Sequence, residues 1–402
     1  MTQDVIQHIT AHIDYLELGD RLVIAAKKQA LSFVIYRLPN SDRYNFIACQ
    51  KSKTGTPSFE SENSGFLISP FDNPQLSKTE LLADDIRIQF GPNQHTQVSH
   101  LGKLPNQLLE AFFDTLKHPI EHNGKKGNTN QKLATDSSQE DFESLVQLAI
   151  NDTLKNNHLK KVVLSRKKEI ALSSPTSMSG LLKAIEGKHT NSMFSFVCTP
   201  KHGTWVGLTP ETLVHIDEHN IFKTVALAGT QANLVDDPKE ASWKQKEIEE
   251  QALVSRYIIN CFKVIRLREF EEDGPKTAIA GNLLHLKSDF IVDINEVNFH
   301  ELGTVMLELL HPTSAVCGMP KEPATAFIKT HEKHERSLYS GFLGPINIDN
   351  DSHIFVNLRC AQLHESSATL YAGAGITSDS NPQKEWIETE MKCETIRQIL
   401  QD

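Results

Sequence analysis

Two pairs of glutamates stand out in the sequence: Glu247 with Glu250, and Glu385 with Glu388, each three residues apart, with Lys392 four beyond Glu388. On helices, spacings of three and four put each set on one face. Two such faces meeting would offer hard oxygen donors suited to Mg²⁺. Spacing alone does not demand a metal, because Glu332 and Glu335 repeat it and carry no assigned chemistry. Gly373-Ala374-Gly375 lies between a strand-like ATLYA and the last helix, where close backbone approach would let amide N–H groups hold an anion. An ordinary strand-to-helix turn has the same composition, and the spacing is neither a dinucleotide fingerprint nor a P-loop. Arg359 interrupts FVNLRCAQL, a segment otherwise free of charge. In a cleft it would grip a carboxylate with two parallel hydrogen bonds; elsewhere it would be an edge or salt-bridged residue. His331-Glu-Lys-His334 is HExH, not the HExxH that puts two zinc ligands on one helical face. Glu308-Leu-Leu-His311 occurs once, whereas a di-iron bundle needs two such elements.

These residues need elements to position them. Period-2 alternation along Lys161-Val-Val-Leu-Ser-Arg166 places Lys161, Val163 and Ser165 on one face and Val162, Leu164 and Arg166 on the other. LVIAA, LSFVIYRL, YNFIAC, MFSFVC, TWVGL, TLVHI and IFKTVALAG have strand composition, and LLEAFFDTL has helical periodicity. Ser137 with Glu140 forms an expected capping box for a helix that ends near 156–157. A long helix is expected from about Lys239 to Phe270, and another from Asn381-Pro382 to the C-terminus. Three regions follow: a variable N-terminal region, 1–121, contributing to the body; an exposed Gly/Asn/Ser/Lys-rich linker, 122–140; and a catalytic core, 141–402.

The chain has 402 residues, with 41 Lys and Arg against 51 Asp and Glu, a net charge of −10. Such a balance argues against a nucleic-acid partner, which calls for a basic face, and at first sight against an anionic substrate. No secretory signal and no apolar stretch of membrane-spanning length is visible, so the expectation is a cytoplasmic protein with no membrane partner. The six cysteines form no CxxC pair and read as small buried apolar residues in a reducing compartment.

Taken in order, KVVLSR, GLTPETLV, ALAGT, KEIEEQALV, LLHPTSAVCG, FLGPI, NLRCAQL, AGAGI and KEWIETEMK resemble the chorismate-utilising enzymes, most closely their isochorismate-forming branch. The resemblance covers about 240 residues and implies an α+β fold in one large body: two stacked antiparallel β-sheets with helices outside and a cleft for Mg²⁺. It also implies that Lys161 is the general base that activates water and Glu211 the general acid that protonates the departing hydroxyl. By the same resemblance, Glu250 and Glu388 would be metal ligands supported by Glu247 and Glu385. Lys392 with Ala228, Gly229 and Thr230 would hold the ring carboxylate of chorismate, Arg359 with Gly373, Ala374 and Gly375 the enolpyruvyl carboxylate, and His311 would contact the ring.

Relatives that use ammonia typically lack a lysine at position 161, so the resemblance implies water as nucleophile and no amidotransferase subunit. It points to a monomer making isochorismate for menaquinone. The alternatives are a salicylate synthase, which also eliminates pyruvate, and supply of a catecholate siderophore. Thr209 departs from the family pattern, where Ser or Ala is commoner.

Overall fold

The computed structural model describes all residues except 1–9, 11–12, 103, 120–136, 156–157, 233–236, 281–282 and 402. Among them the strands form two antiparallel sheets. The ten-stranded sheet runs Gly318–Met319, Lys161–Ala171, Ser367–Ile376, Cys360–Leu363, Gly203–Thr209, Met193–Thr199, Ser32–Arg37, Tyr44–Cys49, Ile86–Gly91 and Gln94–Leu101. The nine-stranded sheet runs Glu271–Ala280, Leu283–Asp293, Ile221–Ala232, Thr212–Ile216, Ser352–Val356, Phe342–Ile346, Gly65–Ser69, Glu80–Ala83 and Lys53–Thr54. Strands from both ends of the chain share each sheet: Ser32–Arg37 pairs with Met193–Thr199, and Gly65–Ser69 with Phe342–Ile346.

The layering follows from alternation. In SFVIYR, Phe33 and Ile35 pack outward with Leu18, Leu22, Phe112 and Leu182 from helices Tyr15–Lys28, Asn106–Lys117 and Met178–Ile185. Val34 and Tyr36 point the other way, against Phe66, Ile68 and Phe355 of the second sheet. A strand buried on both faces reads as a continuous apolar run because each side chain meets a different layer. On the far side, Leu67, Phe222 and Phe290 pack with Val254, Ile258, Met306 and Leu307 from helices Gln245–Val264 and Leu302–Leu310. The expected α+β body of two stacked sheets with helices outside is the one observed.

Three local expectations are corrected. LVIAA lies in the helix Tyr15–Lys28, where Leu18, Leu22, Ala25 and Ala26 share the buried stripe and Asp14 accepts the Leu16 N–H at 2.9 Å; five apolar residues are too few to distinguish a strand from a helix face. The long helix is shorter, Gln245–Val264; the chain turns at Arg266 with φ of 60° and continues as strand Glu271–Ala280. Helix Gln139–Lys155 is capped by Ser138, whose Oγ accepts the Asp141 N–H at 3.0 Å and donates to the Asp141 carboxylate at 2.9 Å. Ser137 is instead bonded to Lys167. Residues 122–136 of the expected linker lie outside the described residues, and Gln139 and Glu140 already belong to that helix. The final helix is Pro382–Gln401, as expected. Five of the six cysteines are buried, Cys198 is half-buried, and all are free. No helix among the described residues is long and apolar enough to cross a membrane.

Candidate active site

Strand Lys161–Ala171 carries the first group. Val162 and Leu164 pack with Phe142 and Ile150, and Arg166 lies over the Trp386 ring, 3.8 Å from its centroid, and bonds Thr389 and Glu390. That face is therefore closed by the final helix. The other face turns Val163 into a cavity and buries Lys161, whose Nζ lies 2.8 Å from Glu250 Oε1.

Glu211 and Arg359 come from the two segments where the chain passes between sheets. Glu211 sits between Gly203–Thr209 and Thr212–Ile216, and Arg359 between Ser352–Val356 and Cys360–Leu363. The crossings are stitched together: Val356 N–H donates to Glu211 O at 2.9 Å, Leu208 N–H to Arg359 O at 3.0 Å, and Thr209 Oγ1 to Val356 O at 2.6 Å. Thr209, the departure from the family pattern, is thus used as a buried donor. Arg359 has φ of 47°, a conformation costing a non-glycine residue about 1–3 kcal/mol, and its Nη1 is buried without a hydrogen-bond partner. Both residues line the cavity.

Ala228, Gly229 and Thr230 line it from a β-bulge, where the pairing with Leu283–Asp293 slips between Ala228 and Thr230. Gly229 has φ of 64°, and an added Cβ would lie 3.1 Å from Glu247 Cβ. Gly373 and Gly375 are not in a turn, as the sequence pattern allowed, but within strand Ser367–Ile376, opposite Ser165 and Val163. Val163 N–H donates to Cys317 O and Ser165 N–H to Glu332, both away from this strand. The N–H and C=O groups of Gly373 and Gly375 therefore project from the opposite edge. There Lys392 Nζ donates to Gly373 O at 2.8 Å. A side chain at Gly375 would meet Lys161 Cε at 2.7 Å and Glu250 Oε1 at 3.0 Å, so glycine is required to let the lysine pass. Ala374 points the other way, into the core with Leu164.

The glutamate-bearing helices meet. Lys246 Nζ lies 2.8 Å from Glu385 Oε1, and Lys392 Nζ 2.6 Å from Glu388 Oε1. Glu250, Glu385 and Glu388 are thus each matched by an ammonium, from Lys161, Lys246 and Lys392. Glu247 faces its own helix start, accepting the Lys244 N–H at 3.1 Å. Glu385 is buried and Glu247, Glu250 and Glu388 are half-buried, a set of carboxylates that fits a hard divalent cation. As placed, however, the four do not offer three oxygens within 4.8 Å of one another. His311 does not line the cavity; it caps helix Leu302–Leu310 and packs edge-on against Phe342, 5.0 Å between centroids.

Three lining residues carried no spacing signal: His285, Tyr339 and Tyr371. The tyrosines stack at 5.5 Å, and burial keeps the Tyr339 phenol neutral by pushing it well up. His285 faces Thr230 across the bulged strands and bonds Gly229 O through Nδ1 at 2.9 Å. Only that cross-strand register links it to ALAGT.

The electrostatics separate the carboxyls. Burial pushes Glu211 up to about 7 against the opposing pull of Lys161, Lys392 and Arg359. Burial also raises Glu250, but Lys161 outweighs it and holds that carboxyl below its usual range. Burial, with Glu388 nearby, raises Glu385. Burial, Arg359 and Lys392 together lower His285 to about 3, so it is neutral. An acid poised near neutrality, a buried lysine nearby and a guanidinium with an unpartnered Nη1 form a set suited to acid–base chemistry on an anionic substrate.

A family model for chorismate binding enzymes matches residues 86–401. The chain belongs to that family. Among its relatives, the isochorismate synthase MenF of Escherichia coli K12 is 29% identical over 263 residues, covering 64% of this chain and 59% of that protein. The isochorismate synthase EntC of the same strain is 30% identical over 271 residues, covering 65% and 67%. The fold of this chorismate binding enzyme superposes on the structure of the menaquinone-specific MenF from Escherichia coli with a TM-score of 0.76 and 23% identity, over 97% of this chain and 92% of that one.

Proposed function

We propose that this chain is an isochorismate synthase: water adds at C2 of chorismate as the C4 hydroxyl leaves. The observation that carries the reading is the pairing of Glu211, a carboxyl in the cavity that burial lifts to about 7, with the buried Lys161, which bonds Glu250 on the cavity wall and is close enough to oppose that rise. Lys161 takes a proton from the attacking water; Glu211 gives its proton to the departing hydroxyl oxygen. Arg359 holds the enolpyruvyl carboxylate with the open amide edge of Gly373 and Gly375. Lys392 and the Ala228–Thr230 bulge receive the ring carboxylate. Glu250 and Glu388 would hold Mg²⁺, with Glu247 and Glu385 supporting. When bound, the cation supplies a positive anchor for the ring carboxylate and neutralises the glutamates. With Glu250 engaged by the cation, Lys161 would be released from its ion pair to serve as base. His311, at the end of helix Leu302–Leu310 and packed on Phe342, takes no direct part in this reading. The same reading makes the protein a cytoplasmic enzyme that works without an amidotransferase subunit, as a monomer, in the menaquinone branch.

Purified protein with chorismate and Mg²⁺ is expected to yield isochorismate with no pyruvate, followed by chromatography over time. Salicylate and pyruvate in equal amounts would establish the lyase reading instead; incorporation of ammonia would refute water as nucleophile. Excess EDTA is expected to stop turnover, and an undiminished rate there would remove the metal.

A further inference from the structure

We propose that His215, Asp351 and His353 form a binding site for a divalent transition metal of the zinc class, separate from the cavity. His215 and His353 stand directly opposite each other on the antiparallel strands Thr212–Ile216 and Ser352–Val356. Their rings stack with centroids 3.9 Å apart and an interplanar angle of 16°. Asp351, two residues before His353, is held by a reciprocal bridge to Ile348, and its carboxylate spans both imidazoles. Oδ1 lies 3.1 Å from His215 Nε2, and Oδ2 lies 2.9 Å from His353 Nε2. One donor atom from each of the three lies within 4.8 Å of the others, the sole such grouping of His, Cys, Asp or Glu among the described residues.

Zinc holds imidazole nitrogen and carboxylate oxygen at about 2.0–2.2 Å, so neighbouring ligand atoms around a tetrahedral ion stand roughly 3.3 Å apart. The two nitrogen–oxygen contacts need to open by only a few tenths of an ångström, and the near-parallel imidazoles have to tilt apart so that both Nε2 lone pairs meet one ion. The ion would take the place of the protons now shared between the imidazoles and the carboxylate. Two imidazoles with one carboxylate favour zinc, cobalt or nickel over magnesium. The neighbouring carboxylates are engaged elsewhere: Asp217 is 3.4 Å from Lys223 and Asp349 is 2.8 Å from Arg87. Three protein ligands therefore leave a fourth position for water or an exogenous anion. Glu211 lies four residues from His215, about 13 Å along the strand. The ion would pin together the two strands whose other ends lead into the Glu211 and Arg359 crossings.

The test is a Zn²⁺ titration of the full, untagged chain, stripped with chelator and held in millimolar Mg²⁺ to saturate the glutamates. One equivalent is expected to bind with micromolar or tighter affinity, in wild type and in Glu388→Gln alike. Affinity is expected to fall tenfold or more in Asp351→Asn and in His353→Gln, the conservative variants guarding against misfolding. Co²⁺ in place of Zn²⁺ is expected to give a visible d–d band that both variants lose. A smaller loss of affinity in both variants, or no binding tighter than millimolar in wild type, overturns the proposal.

Discussion

Two regions of this protein bury charge, and they treat it in opposite ways. Behind strand Lys161–Ala171, Arg336 is fully matched: Nη1 donates to Val316 O at 2.8 Å, Nη2 to Val163 O at 2.7 Å, and Nε to Glu332 at 2.9 Å. Glu332 in turn accepts from Ser165 N at 2.7 Å and Ser165 Oγ at 3.1 Å. In the cavity, Arg359 has an unpartnered Nη1 and a left-handed backbone, and Glu211 is held far from its ordinary titration range. Arg336 is buried and satisfied; Arg359 is half-buried, with its Nη1 buried and unpartnered. Arg336 closes a fully bonded network, whereas the unpartnered Nη1 of Arg359 is, on the proposed function, the donor left for a substrate carboxylate.

That contrast can be broken by exchange of effects. The largest expected effect is on catalysis: Glu211→Gln should lower kcat by about 10²–10⁴-fold, measured by product formation, with the folded structure intact. The same variant should be more stable than wild type at pH 8. The native carboxyl at about 7 keeps its proton to higher pH than the unfolded one at 4.5. Its stabilising contribution is therefore full below the unfolded value and is lost as pH rises through about 7, a difference of roughly 3 kcal/mol that Gln does not suffer. Chemical denaturation at pH 5 and pH 8 measures it, and equal stability at pH 8 would contradict the burial of that charge. Arg336→Met should do the reverse. It leaves Glu332 without its partner and should cost about 3–5 kcal/mol, with activity per folded molecule close to wild type. Arg359→Lys replaces a forked donor by a single point and should raise KM roughly tenfold, with no loss of melting temperature. The smallest effect sharpens the assignment of the acid: kcat/KM should decline above about pH 7 in wild type, as the free enzyme loses the Glu211 proton.

The sequence made the strands and their alternation legible, because a two-sided core writes long apolar runs such as LSFVIYRL. Lys161 and Arg166 fell on opposite faces as period 2 required. Glu332 shows the limit. Its spacing to Glu335 matches that of Glu247 to Glu250, and nothing in the sequence tells a buried structural carboxylate from one that faces a cavity. His285 was invisible for a related reason: its importance lies in a cross-strand register, between segments some 55 residues apart, at a bulge that composition does not announce. The glycines at 373 and 375 were visible as glycines, but their purpose, clearing a path for Lys161 and freeing one strand edge, depends on which neighbours the ladder leaves unpaired.

Glu211 and Arg359 sit on adjoining passages from one sheet to the other, tied by three hydrogen bonds. Neither rides on a lid or a free loop. Loss of activity on heating should therefore follow the same curve as loss of the whole body, because the acid and the guanidinium cannot be displaced by fraying at an edge. A partly melted state that keeps the fold but has lost activity is not expected.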